Sequence, residues 1–166
     1  MAHKLLDGTV KKYIDQCVLC WLATCDKDLI PNVSPKELFT WQNDDTLLIA
    51  HLASPVSVSN IRFNPNVCVS FIDIFIQKGY KIKGKATLFE KSNPEFAVKL
   101  QPLTDLFSDK FPIAAVIEVK VTSIEPILAP SYFLYPNTTE AGQIANAMAA
   151  YKVKPNSVIG ISHSSL

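Results

Sequence analysis

The sequence predicts a mainly β fold, an antiparallel barrel of six strands with short helices between them. Six segments of strand length follow one another and are separated by turn residues. Each segment is either continuously apolar or alternates between apolar and polar residues, as expected for strands in hairpin order. The 166 residues are 48% hydrophobic and 19% charged, and no linker or repeat divides them, so we treat residues 1–166 as a single domain. The six predicted strands are residues 17–25, 30–41, 46–50, 67–75, 80–90 and 113–125.

The first two strands are predicted to form a hairpin, because residues 26–28 between them are typical of a turn. Pro31 and Pro35 place the second strand at a sheet edge or a bulge, since proline cannot donate to a strand ladder. The strand at residues 80–90 alternates lysines with apolar or small residues near its start. One of its faces is therefore predicted to be cationic and the other apolar.

Four short helices are predicted around these strands. The first is Thr9–Gln16. The second begins at Ser54, a residue type that caps helices, and ends at the next Asn-Pro pair. A third opens at residues 93–95, and a last amphipathic helix covers residues 139–151. The polar tail, residues 152–166, is predicted to be mobile.

The composition excludes several classes of function. A net charge of +1 argues against a nucleic-acid partner, and with Arg62 as the single arginine, bidentate arginine clamps on phosphate are not expected. The five glycines lack the spacing of a dinucleotide-binding turn or a P-loop. No apolar run is long enough for a membrane span, and the N-terminus lacks a signal peptide's apolar core. We therefore expect a cytoplasmic protein with no membrane partner.

The cysteines and histidines give only weak signals. Cys17 and Cys20 have the spacing of half a zinc site, but on one strand they would point to opposite faces, so no metal site is predicted. We interpret the four cysteines as small core residues. His3 and His163 lie near the termini, whereas His51 follows the third strand. A structural role for His51 is favoured over a role as a base.

The segment from residue 51 to 65 carries the most information about a site. A strand ends, and the hydroxyl groups of Ser54, Ser57 and Ser59 gather near a predicted helix N-terminus. Such a terminus can hold a phosphate without arginine, although a simply capped helix explains the same residues. Lysine side chains that could support a bound anion are Lys36 on the second strand and Lys81, Lys83 and Lys85 on the fifth.

Three stretches in this order carry a family resemblance: LATCDKDLIPNVSPKELFTW at 22–41, DDTLLIAHLASPVSVSNIRFNPNVCVSFID at 44–73, and YKIKGKATLFE at 80–90. The chain resembles the pyridoxamine 5′-phosphate oxidase-like family of flavin-binding split barrels. The resemblance implies a six-stranded Greek-key split β-barrel. It also implies a homodimer with two FMN molecules in grooves between the subunits, each built from both chains.

The resemblance also implies which residues bind FMN. The segment that includes Lys36 passes the flavin ring and the ribityl chain, and Lys36 supplies positive potential near the ring edge. The turn after the third strand approaches the phosphate, and the fifth strand comes from the other subunit. The implied cofactor-binding residues are Asn32, Val33, Ser34, Lys36, Ile49, Ala50, Ser54, Ser57, Asn60 and Lys81.

The implied activity is that of an FMN-dependent oxidoreductase acting on a small-molecule electron donor and acceptor. Family members that oxidise pyridoxamine phosphate carry arginine and lysine in the phosphate turn, where this chain has Val56 and Ser57, so vitamin B6 oxidation is not expected. No side chain stands out as a catalytic acid or base. The alternatives are a module that binds haem, through His51, or a deazaflavin, and a family member without ligand.

Overall fold

The computed structural model describes residues 5–107 and 110–155 and contains one antiparallel sheet of seven strands. His3, His163 and all of the predicted tail beyond residue 155 lie outside the described residues. The strand order is β2-β1-β5-β6-β7-β4-β3. The strands are β1 Cys20–Cys25, β2 Pro31–Lys36, β3 Phe39–Asn43, β4 Thr46–His51, β5 Asn66–Asp73, β6 Lys78–Glu90 and β7 Ala115–Leu128.

The prediction of six strands was wrong by one, because the segment at residues 30–41 forms two strands. β2 pairs with β1 and β3 pairs with β4, and these two pairings lie at opposite edges of the sheet. Pro31 and Pro35 lie in β2, which is an edge strand as predicted. The chain crosses from one edge to the other over residues 37–38, a crossing that no glycine or proline marks in the sequence.

The sheet curls into an open barrel whose split lies between β2 and β3. Its interior is filled by apolar side chains such as Leu22, Ile49, Val69 and Ile82, all 0% exposed. A second apolar cluster lies on the other side of β4 and β7, around Leu103. The mainly β fold predicted from the sequence is confirmed, although the barrel is not closed.

Five helices surround the sheet in the described chain: α1 Gly8–Gln16, α2 Pro55–Phe63, α3 Phe96–Phe107, α4 Ser131–Leu134 and α5 Glu140–Tyr151. Helix α2 packs against β1, β2 and β6. Ser54 occupies its N-cap position as predicted, but the Ser54 side chain makes no capping hydrogen bond. Its hydroxyl group instead accepts a hydrogen bond from the Lys36 side chain.

The outer face of the sheet carries exposed apolar side chains. Trp21 of β1, Val33 of β2 and Ile72 of β5 are 44%, 55% and 38% exposed. On β6 the side chains alternate as predicted, with Ile82 buried and Lys83 exposed on the outer face. This outer face therefore combines apolar and cationic groups.

Candidate functional site

An open groove with a volume of about 490 Å³ lies at the split of the barrel. One wall is the inner face of β2 with residues 37–38, and the other is the end of β4 with the start of α2. The inner-facing residues of β2 alternate along the strand, since Asn32, Ser34 and Lys36 pair with Thr24, Leu22 and Cys20 of β1. The full lining is Asn32, Ser34, Pro35, Lys36, Glu37, Leu38, Ala50, Leu52, Ala53, Ser54, Pro55, Val56, Ser57 and Phe111.

Hydrogen bonds join α2 to β2 along this groove. Residues at intervals of three lie on the same face of a helix, and here Ser54 and Ser57 face β2. The Ser57 Oγ atom lies 2.9 Å from the Ser34 Oγ atom, and it accepts a hydrogen bond from Asn32 Nδ2 at 3.2 Å. Lys36 Nζ donates to Ser54 Oγ at 2.5 Å. The strand and the helix therefore hold the polar groups of the groove in fixed positions.

Lys36 is a buried cation that lines this groove. Its side chain is 5% exposed, and no carboxylate of the described chain forms a salt bridge with it. Burial lowers the pKa of the Lys36 ammonium, and the nearby Cys20 thiol partly opposes that shift. A buried ammonium with only a hydroxyl partner is poorly compensated, so an anionic or electron-rich ligand would stabilise it.

The polar groups that line the groove are mostly hydrogen-bond donors. Lys36 uses one of its three N–H bonds on Ser54, so two remain, and the Ser54 hydroxyl keeps its own proton to donate. Ser34 and Ser57 share one hydrogen bond, so one hydroxyl proton of this pair is also free. The first turn of α2 adds the backbone N–H groups of Val56 and Ser57. The groove thus suits a ligand rich in acceptors.

The structure brings together most of the residues that the sequence analysis selected. Asn32, Ser34, Lys36, Ala50, Ser54 and Ser57 all line the groove. Asn60 lies just behind it, 4% exposed, and donates to Thr24 Oγ1 at 3.0 Å. Seven of the ten predicted cofactor-binding residues therefore lie at or directly behind one groove, and their binding of a cofactor stays a prediction.

The other three predicted residues do not line the groove of their own chain. Ile49 is 0% exposed and belongs to the barrel interior. Val33 points to the outer face of the sheet. Lys81 lies on β6, where its Nζ atom forms an ion pair with Glu125 at 2.8 Å. Val33 and Lys81 therefore lie on the outer face of the sheet.

Several groove residues were missed from the sequence. Glu37 and Leu38 line the groove because the chain changes sheet edge there, and Phe111 reaches it from the segment after α3. Leu52 and Val56 add apolar walls. In the sequence, only the closeness of Leu52 and Val56 to Ser54 and Ser57 indicated that they line the groove. Nothing in the sequence indicated that Phe111 does.

His51 and the cysteines contribute little to the groove. The His51 Nδ1 atom is buried without a hydrogen-bond partner. The pKa of His51 is lowered mainly by burial and secondly by the charge of Lys36, and the Glu90 carboxylate partly opposes both effects. All four cysteines are free, and burial raises the pKa of Cys20 to about 12. Across residues 5–107 and 110–155, no three His, Cys, Asp or Glu side chains are grouped as metal ligands.

The fold and the groove define a split-barrel protein with an open groove lined mostly by hydrogen-bond donors. The chain belongs to the pyridoxamine 5′-phosphate oxidase family, whose model matches residues 6–127. No curated protein matches the chain significantly. None of the helices in the described part has the length and hydropathy that a membrane span requires.

Solved structures with low sequence identity share the fold. An FMN-binding protein from Syntrophomonas wolfei subsp. wolfei is 15% identical, with 76% of this chain and 88% of that chain covered and a TM-score of 0.63. HutZ, the haem storage protein from Vibrio cholerae, is 18% identical, with 74% and 94% covered and a TM-score of 0.57. An F420 reductase is 22% identical, with 72% and 97% covered and a TM-score of 0.56.

Proposed function

We propose that the protein is an FMN-binding flavoprotein of this family, acting as a homodimeric oxidoreductase. The observation that carries the proposal is the buried Lys36 ammonium in a groove lined mostly by hydrogen-bond donors. FMN presents a phosphate, carbonyl oxygens and ring nitrogens, and these acceptors match the donors of the groove. The similarity to an FMN-binding protein and the family membership add support.

The residues divide into two groups toward this ligand. Ser54, Ser57 and the N-terminus of α2 would hold the phosphate, since a helix N-terminus favours anions. Lys36 and Ser34, which are bonded to Ser54 and Ser57, would add donors at the same end of the ligand, and the apolar walls would exclude water from the ring. When bound, the flavin itself supplies the hydride chemistry, and the protein supplies binding and electrostatics.

The homodimer is part of this proposal. The outer sheet face exposes Trp21, Val33 and Ile72, and an apolar patch of this kind commonly marks a protein interface. A second copy on this face would cover Val33 and would bring its own Lys81 toward the groove region. We also propose a cytoplasmic location, because the four cysteines are free thiols, as is usual in a reducing compartment.

Haem is a weaker candidate than flavin. Haem iron is usually held by His, Cys, Met or Tyr, and none of these residue types lines the groove in the described chain. His51 does not line it, and its Nδ1 atom is buried. A deazaflavin shares the ring-edge acceptors of FMN, so the choice between these two depends on the binding measurement below.

The visible absorption spectrum of the purified protein, before and after FMN addition and gel filtration, tests the proposal. Retained bands at about 375 and about 450 nm would identify a bound flavin. A fluorescence-quenching titration of the dimer then gives the dissociation constant for FMN. If FMN binds no more tightly than millimolar, the proposal is wrong, and deazaflavin and haem titrations follow, the latter with His51→Ala as control.

A further inference from the structure

We propose that Thr24 is a positioning residue, which holds the Asn32 amide so that its Oδ1 atom accepts a hydrogen bond from the flavin. The inference rests on the proposed flavin binding and explains how the site would select its ligand. Thr24 lies on β1, directly opposite Asn32 of β2. Its side chain is 2% exposed and is not part of the groove lining, so it acts on a ligand in this groove through its neighbours.

Two hydroxyl oxygens hold the amide nitrogen of Asn32. Asn32 Nδ2 lies 3.4 Å from Thr24 Oγ1 and 3.2 Å from Ser57 Oγ. An amide nitrogen carries two hydrogens, so both are used within the protein. Asn60 Nδ2, on the buried face of α2, donates to the same Thr24 oxygen at 3.0 Å. Thr24 therefore joins β1, β2 and α2 at one atom.

The arrangement leaves the Asn32 carbonyl oxygen available to a ligand. Among the described residues no group donates to Asn32 Oδ1, and Asn32 lines the groove. The other uncharged polar side chains there offer a proton, as shown above for Ser54 and the Ser34–Ser57 pair. Asn32 is thus a neutral acceptor in a groove whose other polar side chains, except Glu37, are donors. Its Oδ1 atom can therefore accept a hydrogen bond from a donor on the ligand.

Flavins carry such donors in two places. One is the imide N3–H of the ring, and the other is the set of hydroxyl groups on the ribityl chain. 3-Methyl-FMN lacks the first donor and keeps the ribityl chain, whereas lumiflavin keeps the N3–H and lacks the chain. Comparing these ligands with FMN identifies which donor Asn32 accepts from.

The experiment measures dissociation constants of FMN, 3-methyl-FMN and lumiflavin for wild type, Thr24→Val and Thr24→Ser. Thr24→Val removes the shared acceptor at nearly constant volume, and we expect about 3- to 10-fold weaker FMN binding, the size of one hydrogen bond. The loss should vanish for 3-methyl-FMN if N3–H is the donor, or for lumiflavin if a ribityl hydroxyl is. Thr24→Ser keeps the hydroxyl and should restore wild-type affinity.

An equal loss for all three ligands would overturn the inference, because it would indicate a general structural effect. Unchanged FMN affinity in folded Thr24→Val would overturn it as well. Asn32→Ala, on the edge strand, should reproduce the same selective loss if Thr24→Val fails to fold; an unselective loss or none would again overturn it. Wild type that binds no flavin would instead refute the proposed function.

Discussion

Replacing Lys36 with methionine tests the central feature of the groove. Methionine keeps the length and apolar stem of lysine but removes the ammonium, which is 5% exposed and bonded only to Ser54 among the described residues. In the free protein this ammonium is costly, since burial lowers its pKa. The substitution should therefore act in opposite directions on stability and on FMN binding, as is common for binding sites.

The magnitudes follow from the surroundings of Lys36. Removing a buried charge that has a hydroxyl but no carboxylate partner should raise the free energy of unfolding by about 1 kcal/mol. A hydrogen bond from a charged donor contributes about 1.5–3 kcal/mol. Lys36→Met should therefore weaken FMN binding by roughly 10- to 150-fold.

The pH dependence gives an independent check. The pKa of Lys36 in the fold lies below its ordinary value of 10.5, so between these two values the unfolded chain holds more protons than the folded one. The stability penalty of Lys36 is complete below the folded pKa and disappears as the pH rises toward 10.5. The stability advantage of Lys36→Met should shrink over that window, and the affinity of wild type for FMN should fall.

Urea unfolding without ligand and fluorescence titration with FMN measure both effects. Lys12→Met is the matched control, because Lys12 is exposed on α1, away from the groove, and should change stability by less than about 0.5 kcal/mol. Lys36→Met that is less stable than wild type and binds FMN equally well would refute the reasoning.

Three further predictions concern the groove, the sheet and the core. Ser57→Asp should abolish FMN binding by placing a carboxylate beside the phosphate, whereas Ser57→Ala should cost only about fivefold; normal binding by folded Ser57→Asp would place the phosphate elsewhere. A Cβ atom at Gly79 would lie 2.0 Å from the Phe71 carbonyl oxygen, so Gly79→Ala should destabilise by about 3 kcal/mol or more in urea unfolding. Gly8→Ala, where nothing lies within 4 Å, is its control and should not destabilise. Cys20, whose pKa is raised to about 12, should react with a thiol reagent at pH 8 only after unfolding, and mass spectrometry of labelled peptides would reveal any earlier reaction.

Much of the site could be predicted because it follows local sequence patterns. The alternation of Asn32, Ser34 and Lys36 puts them on one strand face, and the three-residue spacing of Ser54, Ser57 and Asn60 puts those on one helix face. The order of the segments along the chain and the family resemblance then predicted that the strand face and the helix face lie near each other.

The remaining features depend on tertiary packing. The division of residues 30–41 into two strands depends on which sheet edges lie free, and no turn signal marks it. Ser54 has the sequence of a helix cap, yet its oxygen is taken by Lys36, which lies 18 positions earlier in the chain. The positioning role of Thr24 likewise requires three elements to meet at one hydroxyl group.

The short crossing between β2 and β3 also restricts how the groove can open. The two sheet edges meet at residues 37–38, and the Ala50 amide donates to the Leu38 carbonyl there at 2.9 Å. Because an extended chain spans about 3.3–3.6 Å per residue, the edges can separate by only roughly 10 Å at this point. The end of the groove beside Lys36 is therefore fixed by the chain itself, and at the Asn32 end side-chain hydrogen bonds join β2 to β1 and α2. Any ligand that enters the groove must therefore meet the cation at a constant position relative to the two sheet edges.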